Sequence, residues 1–269
     1  MAKIQHPLQL SSRRGFIGGV ASVSAVAALA GTLASCSSSD EPIEFRYGVA
    51  SGDPLSDRVI LWTHAKPIVG EGSISLQYEV ASDMMFTSIV SRGEVMSTPD
   101  TGFTVKVDAM GLSPGKTYFY RFRRGDDRSP VGTTRTLPDT SASEVRFAVF
   151  SCSNYPAGFF NVYAEAAKSD AQYAIHLGDY IYEYASTGYA SDQAAKLGRV
   201  SDPSNEILSL ADYRKRYAQY RSDPDLQTLH AKMPMIAVWD DHEIANDAWK
   251  DGAENHDPSK EGTWAARKT

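Results

Sequence analysis

From residue 43 to 138 the chain alternates short apolar or β-branched runs with polar ones, and Gly, Pro, Asp and Ser separate the runs. FRYGVASGD, RVILWTHAKP, ISLQYEVAS, FTVKVDAM, TYFYRFRRG and VGTTRTLP each fit a strand, and no helical periodicity lies between them. Strands at this spacing predict a small all-β sandwich over 43–138. Trp62 and Tyr118 are expected in its core. A polar, Pro-containing stretch, LPDTSASE (137–144), marks the boundary with a second segment, 144–269.

There the pattern changes to α/β. VRFAVFS reads as a strand. GFFNVYAEAAKSD (158–170) has helical spacing, with Phe159, Val162, Tyr163, Ala166 and Ala167 on one side. YAIHL (173–177) is the next strand. A strand-helix-strand unit of this size is expected to be parallel and right-handed. Residues 185–207 are polar and predict a surface excursion. SLADYRKRYAQYRSD (209–223) predicts a helix with Ser209 as N-cap and Asp212 three residues on. Its basic residues are expected on a solvated face opposite a Leu210/Tyr213/Tyr217 packing stripe. MIAVW (235–239) is the third parallel strand.

All three strands end abruptly in polar side chains: SCSN after the first, GDYIYEY after the second, DDHEIAND after the third. Asp240, Asp241, His242 and Glu243 place three carboxylates and an imidazole in four consecutive positions. Such a cluster repels itself unless a cation or a substrate compensates. Sites in open parallel sheets lie at the carboxyl ends of strands. Cys152, Asp179 and Asp241 fall there, which points to a metal-dependent hydrolase. Asp179 can bridge two cations, and two metals can hold the attacking and leaving oxygens of a phosphoryl transfer. A Cys152 thiolate and a Tyr182 phenolate favour a ferric ion, whereas Asp241 and Asn154 suit a hard ion such as calcium. His242 is placed to act on the leaving oxygen. His176, inside its strand, reads as structural or supporting. Asp240 and Glu243 read as groups that orient their neighbours, and Asn246 as a weaker candidate of the same loop.

Composition narrows the picture. The 269 residues carry a net charge of -6 and no Lys/Arg run beyond the N-terminal segment, which argues against a nucleic-acid-binding module. SSRRGFIGG (11–19) followed by a mildly apolar run to Leu33 reads as a twin-arginine export signal; a single membrane anchor is the alternative. Leu33-Ala34-Ser35-Cys36 resembles a bacterial lipobox with Cys36 as the lipidated residue, the alternative being an ordinary cleavage site. The signal then occupies 1–35 and a polar tether 36–42. This implies the twin-arginine translocation machinery as a partner, a periplasmic or cell-surface location, and a lipid anchor to the membrane.

The order SCSN, HLGDYIYEY, WDDHEIAND resembles the PhoD-like alkaline phosphatases, a branch of the calcineurin-like metallophosphoesterases. Cys152 and Asn154 stand where the superfamily's first motif has Asp and His; Gly178-Asp179 match the second motif and Asp240-Asp241-His242-Glu243 the third. The resemblance implies one Fe³⁺ with Ca²⁺, the iron held by Cys152, Asp179 and Tyr182 with a distal ligand, and phosphoesters as substrates. LSPGKTYFYRF (112–122) similarly resembles the fibronectin type III pattern. The superfamily's later His ligands are missing: after His242 only His256 remains, before the chain ends at GTWAARKT. The sequence therefore reads as the front part of a longer enzyme: an N-terminal all-β sandwich followed by the first half of an α/β metallophosphoesterase domain. Two other readings stand beside it, a thiol hydrolase using Cys152 and a non-catalytic cell-surface binding lipoprotein.

Overall fold

The structure is a computed structural model that describes residues 42–268. The export signal, Cys36 and nearly all of the tether lie outside the described residues. Among the described residues, no helix is long and apolar enough to cross a membrane.

The front segment builds ten strands: β1 (Ile43–Glu44), β2 (Val49–Gly52), β3 (Arg58–His64), β4 (Lys66–Pro67), β5 (Ile74–Ala81), β6 (Ile89–Ser97), β7 (Thr104–Met110), β8 (Thr117–Arg124), β9 (Asp127–Arg128) and β10 (Gly132–Arg135). One sheet runs β10-β8-β5-β6, with β9 on β8. A second sheet contains β2-β3-β7, all antiparallel to their neighbours there. Inward side chains from both, among them Leu61, Leu76, Val80, Val107, Tyr120 and Phe122, form one apolar core. Alternation sets this: β3 reads half-buried and buried in turn, so Val59 and Leu61 face inward while Ile60 and Trp62 do not. Trp62 is therefore not a core residue. Its ring lies on the other face, covered by the Arg221 guanidinium at 4.3 Å. Tyr118 is buried, and its phenol accepts the Ser113 N–H at 2.9 Å. Strand β6 has no counterpart in the sequence reading, because nearly all of it is exposed or only half-buried and its apolar residues do not form a stripe.

Behind this come β11 (Phe147–Phe150), α1 (Asn161–Lys168), β12 (Tyr173–His176), α2 (Ala194–Leu197), α3 (Leu210–Arg221), α4 (Pro224–Lys232), β13 (Met235–Ala237), α5 (Pro258–Glu261) and α6 (Trp264–Arg267). Strands β11, β12 and β13 are parallel, adjacent and in order. They do not form a separate sheet. β13 pairs with β2 through Met235 and Gly52, so one six-stranded sheet runs β11-β12-β13-β2-β3-β7. Asp53 N–H donates to Met235 O at 3.3 Å beside that pair. A side chain at Gly52 would bring Cβ to 2.8 Å from Met235 O, so the junction needs a glycine.

Helices α1, α3 and α4 cover one face of the parallel strands around Phe160, Tyr163, Ile181, Tyr220, Leu226 and Leu229. Ser209 caps α3 and Asp212 closes the capping box. The side of α3 that packs is not the expected one. Leu210 is exposed, whereas Arg216, Tyr220 and Arg221 are buried, because backbone carbonyls await those guanidinium groups. Phe159 and Val162 are likewise exposed instead of joining Tyr163 and Ala167 in the core. Helix α4 was hidden in PDLQTLHAK by weak periodicity; Asp223 caps it and Pro224 starts it. Strand β13 stops at Ala237, leaving Val238 and Trp239 exposed at its tip.

Candidate metal centre

The three parallel strand tips carry the polar residues together. Cys152 follows β11 by two residues and Asp179 follows β12 by three, and both adopt left-handed backbone, with φ of 62° and 55°. For Cys this conformation is rare, and such outliers gather at functional sites. Two backbone bonds join the turns: Cys152 N–H to Gly178 O at 3.1 Å and Ser153 N–H to Asp179 O at 2.8 Å. Gly178 has φ of 112°, and a Cβ there would meet Asp240 Cβ at 2.4 Å. Glycine thus lets the second tip press against the third.

Glu243 fixes that approach. Its buried carboxylate accepts the N–H groups of Asp179 (3.2 Å), Tyr180 and Asp240 (2.9 Å). It orients ligands and is not itself among the clustered ones. Asp240 is exposed and is not among the clustered residues. One candidate ligand atom each from Asp179, Asp241 and His242 lies within 4.8 Å of the others. Tyr182 joins them: its phenol donates to Asp179 Oδ2 at 3.1 Å, and its ring lies 4.3 Å from the His242 ring. Burial, then the charges of Asp179 and Cys152, push the Tyr182 phenol far above its ordinary pKa. The proton therefore stays on oxygen unless a strong cation displaces it.

Two orphaned atoms test whether a cation fits. Asp179 Oδ1 and Asn154 Oδ1 are buried and find no hydrogen-bond partner among the described residues. Buried acceptors rarely go unpaired. A hard ion would satisfy both kinds of oxygen. Asn154 is held through its amide, which donates to Tyr189 O at 3.3 Å. Cys152 is a free, exposed thiol.

His176 is not one of the clustered residues. It is fully buried, with Nε2 bonded to Ser153 Oγ at 2.9 Å and close to Tyr163 Oη at 3.2 Å, so it supports the Cys152 turn from behind. Burial pulls its pKa down to about 4, which keeps the ring neutral. Asn246 supports the site through its backbone, which donates to Glu183 at 2.8 Å.

Glu183 and Arg216 were missed by the sequence reading. Glu183 is fully buried and accepts from His242 Nδ1 at 2.8 Å and Asn255 Nδ2 at 2.9 Å. With Nδ1 engaged, Nε2 is the open nitrogen of His242. Burial opposes the imidazolium, but the Glu183 hydrogen bond and the Glu183, Asp241 and Asp179 charges outweigh it and raise the His242 pKa. Arg216 is buried and spends its donors on the carbonyls of Tyr182, Tyr184 (3.1 Å) and Pro203 (2.9 Å), pinning the stretch that carries Tyr182 and Glu183. A lone charged residue inside the aromatic run YIYEY was the available signal for Glu183. Arg216 gave none, since three other basic residues share its helix. The His256 side chain, in the loop before α5, is buried against Trp264 and paired with Glu261 at 3.0 Å.

Known proteins resemble this chain over both of its segments. Residues 147–269 match the family model of the PhoD-like phosphatase, and residues 31–138 match that of its N-terminal domain. Alkaline phosphatase D of Bacillus subtilis (strain 168) is 46% identical over 211 residues, covering 75% of this chain and 36% of the relative. A solved structure of PhoD superposes with a TM-score of 0.75 at 41% identity, over 81% of this chain and 43% of that one. The chain thus spans well under half the length of the relatives it matches. On these matches, the chain belongs to the PhoD-like phosphatase family.

Proposed function

We propose that this chain carries the metal-holding strand tips of a secreted phosphoester hydrolase, with Fe³⁺ and Ca²⁺ as its cofactors. The observation that carries the reading is the approach of Asp179, Asp241 and His242 to within 4.8 Å in a family member, with Asp179 Oδ1 buried and unpaired among the described residues. Cys152, Asp179 and Tyr182 are the residues that would hold iron; Asn154 and Asp241 offer oxygens to calcium. Such ions, when bound, would neutralise phosphoryl charge and lower the pKa of a nucleophilic water.

The chain's own groups do the rest. Glu243 holds the second and third tips at fixed separation. Glu183 engages His242 Nδ1 and so leaves Nε2 as the nitrogen through which a proton would pass to the leaving oxygen. His176 keeps the Cys152 turn in place as a neutral ring. A thiol hydrolase fits less well, since His176 is turned to Ser153 and Tyr163 and His242 Nδ1 to Glu183.

The front sheets support a fibronectin type III-like sandwich. The Tyr118 phenol bonding back to Ser113 is the tyrosine-corner device of such folds. Export by the twin-arginine route, with a lipid anchor at Cys36, completes the reading; loss of membrane partitioning in Cys36→Ser tests the anchor. The central test is metal analysis of the purified chain. Binding of iron with a tyrosinate-to-iron absorption band, lost in Asp179→Ala and Tyr182→Phe, is expected. Equal iron content in wild type and both variants would overturn the assignment.

A further inference from the structure

The polar stretch 185–207 buries a charge. Arg199 is only 4% exposed, in a segment whose sequence predicts a surface excursion. Its Nε donates to Tyr155 O at 2.7 Å and its Nη1 to Asp223 Oδ2 at 2.7 Å. Nη2 finds no partner among the described residues. The guanidinium carbon lies 3.5 Å from the centre of the Tyr155 ring and 4.7 Å from that of Phe160. Asp223 is buried too, and its other oxygen caps α4 through the Asp225 and Leu226 N–H groups. A buried ion pair adds little net stability over apolar packing, so its presence calls for another reason. That reason lies one residue away, at Asn154. The Tyr155 backbone is held on both sides: its N–H donates to Tyr220 Oη at 3.1 Å, and its carbonyl takes the Arg199 bond. Asn154 meets the same stretch, since its amide donates to Tyr189 O at 3.3 Å. The Tyr189 ring stacks on Tyr182, with centroids 6.3 Å apart and planes 26° apart. Residues 185–207 thus reach both Asn154 and Tyr182.

We propose that Arg199 is a positioning residue for the calcium side of the metal centre. It anchors residues 185–207 to the backbone behind Asn154, and so keeps the buried, unpaired Asn154 Oδ1 in place as a ligand for calcium. The proposal rests on the metal-centre reading given above. The residues assigned to iron have ties of their own. Backbone bonds join the Cys152 turn directly to the Gly178-Asp179 turn, and Arg216 holds the Tyr182 carbonyl. Loosening Arg199 therefore acts on one ion and spares the other.

The test loads the purified chain with each metal alone, reading calcium by calorimetry and iron by its tyrosinate absorption band. Arg199→Met should weaken calcium binding about tenfold, at the low end for groups that orient metal ligands, and leave the iron band unchanged. Arg199→Lys keeps a cation beside Asp223 but loses the planar fork that also reaches Tyr155 O, and should recover only part of that tenfold. Asp223→Asn keeps the α4 cap and removes the anion that holds Arg199, so it should reproduce the calcium loss. Circular dichroism identifies which variants fold, and any one of the three that does carries the test. Calcium affinity equal to wild type in the folded variants overturns the role of Arg199. So does a parallel loss of calcium and iron, which is general loosening. A wild-type chain that binds neither metal sinks the metal-centre reading, and this proposal with it.

Discussion

Glu243 offers the sharpest test of how the site is held. Three N–H groups, from Asp179, Tyr180 and Asp240, converge on one buried carboxylate, and they belong to two different strand tips. In Glu243→Gln the side chain keeps its shape but only one acceptor oxygen. If that oxygen stays at the Oε2 position, it still receives Asp179 and Asp240, and the amide –NH₂ then faces the Tyr180 N–H donor to donor. One unsatisfied buried donor costs about 1–3 kcal/mol. In Glu243→Ala all three donors are stranded and a cavity opens. The three losses share one origin and do not add fully, so about 3–5 kcal/mol is expected. Against a total stability of about 5–15 kcal/mol this is a large share. Urea unfolding at constant m-value reads the difference, and hydrogen exchange at the Asp179 and Asp240 amides shows where it arises. The ordering wild type, Gln, Ala must appear in both. If Gln and Ala are alike, or both lie within about 0.5 kcal/mol of wild type, the clamp does not hold the tips.

Three further outcomes follow from the geometry. Gly178→Ala forces a Cβ against Asp240 at 2.4 Å in left-handed backbone, and should cost about 2–4 kcal/mol in chemical denaturation and weaken calcium binding measured by calorimetry. Ser209→Ala removes the α3 cap and its box partner, and should lower stability by about 1 kcal/mol with metal affinity unchanged. His64 and His176 are held neutral by burial, with pKa values brought down to about 4. Below pH 6.5 the unfolded chain takes up protons that the folded chain refuses, so stability is full above 6.5 and falls towards pH 4; His176 alone should account for about 2 kcal/mol by pH 5. A urea midpoint that does not move between pH 7.5 and 5 contradicts this.

Much of this molecule could be read from its residues, for reasons that differ by element. The parallel strands β11 and β12 were visible because runs of apolar residues ended in sudden polarity. Helix α3 was visible because Ser209 and Asp212 write a capping box. Strand β6 was not, since an exposed strand has no reason to alternate. Trp62 was misjudged because residue size does not say which face of β3 an alternating position takes. Leu210 and Arg216 exchanged roles for a tertiary reason: the carbonyls of Tyr182, Tyr184 and Pro203 come from loops far away in sequence. Asp179, Asp241 and His242 could be picked out as candidates by position at strand ends, and the structure brings one ligand atom of each within 4.8 Å of the others. Glu183 could not be placed, because its partner His242 lies 59 residues on and only folding brings them together.

The hydrogen-bonded seam between Gly52 and Met235 has a consequence for how this family can be taken apart. A front module joined by a tether could be deleted, swapped or expressed alone at little cost. Here the cut at residue 138 would strip β2 of its parallel neighbour and bare a raw sheet margin on each half, a known invitation to self-association. It would also free Arg221 from the Tyr47 carbonyl and uncover the Trp62 ring. The two halves are therefore bound to vary in concert at this seam, and shortened forms of the protein are best designed to keep it whole.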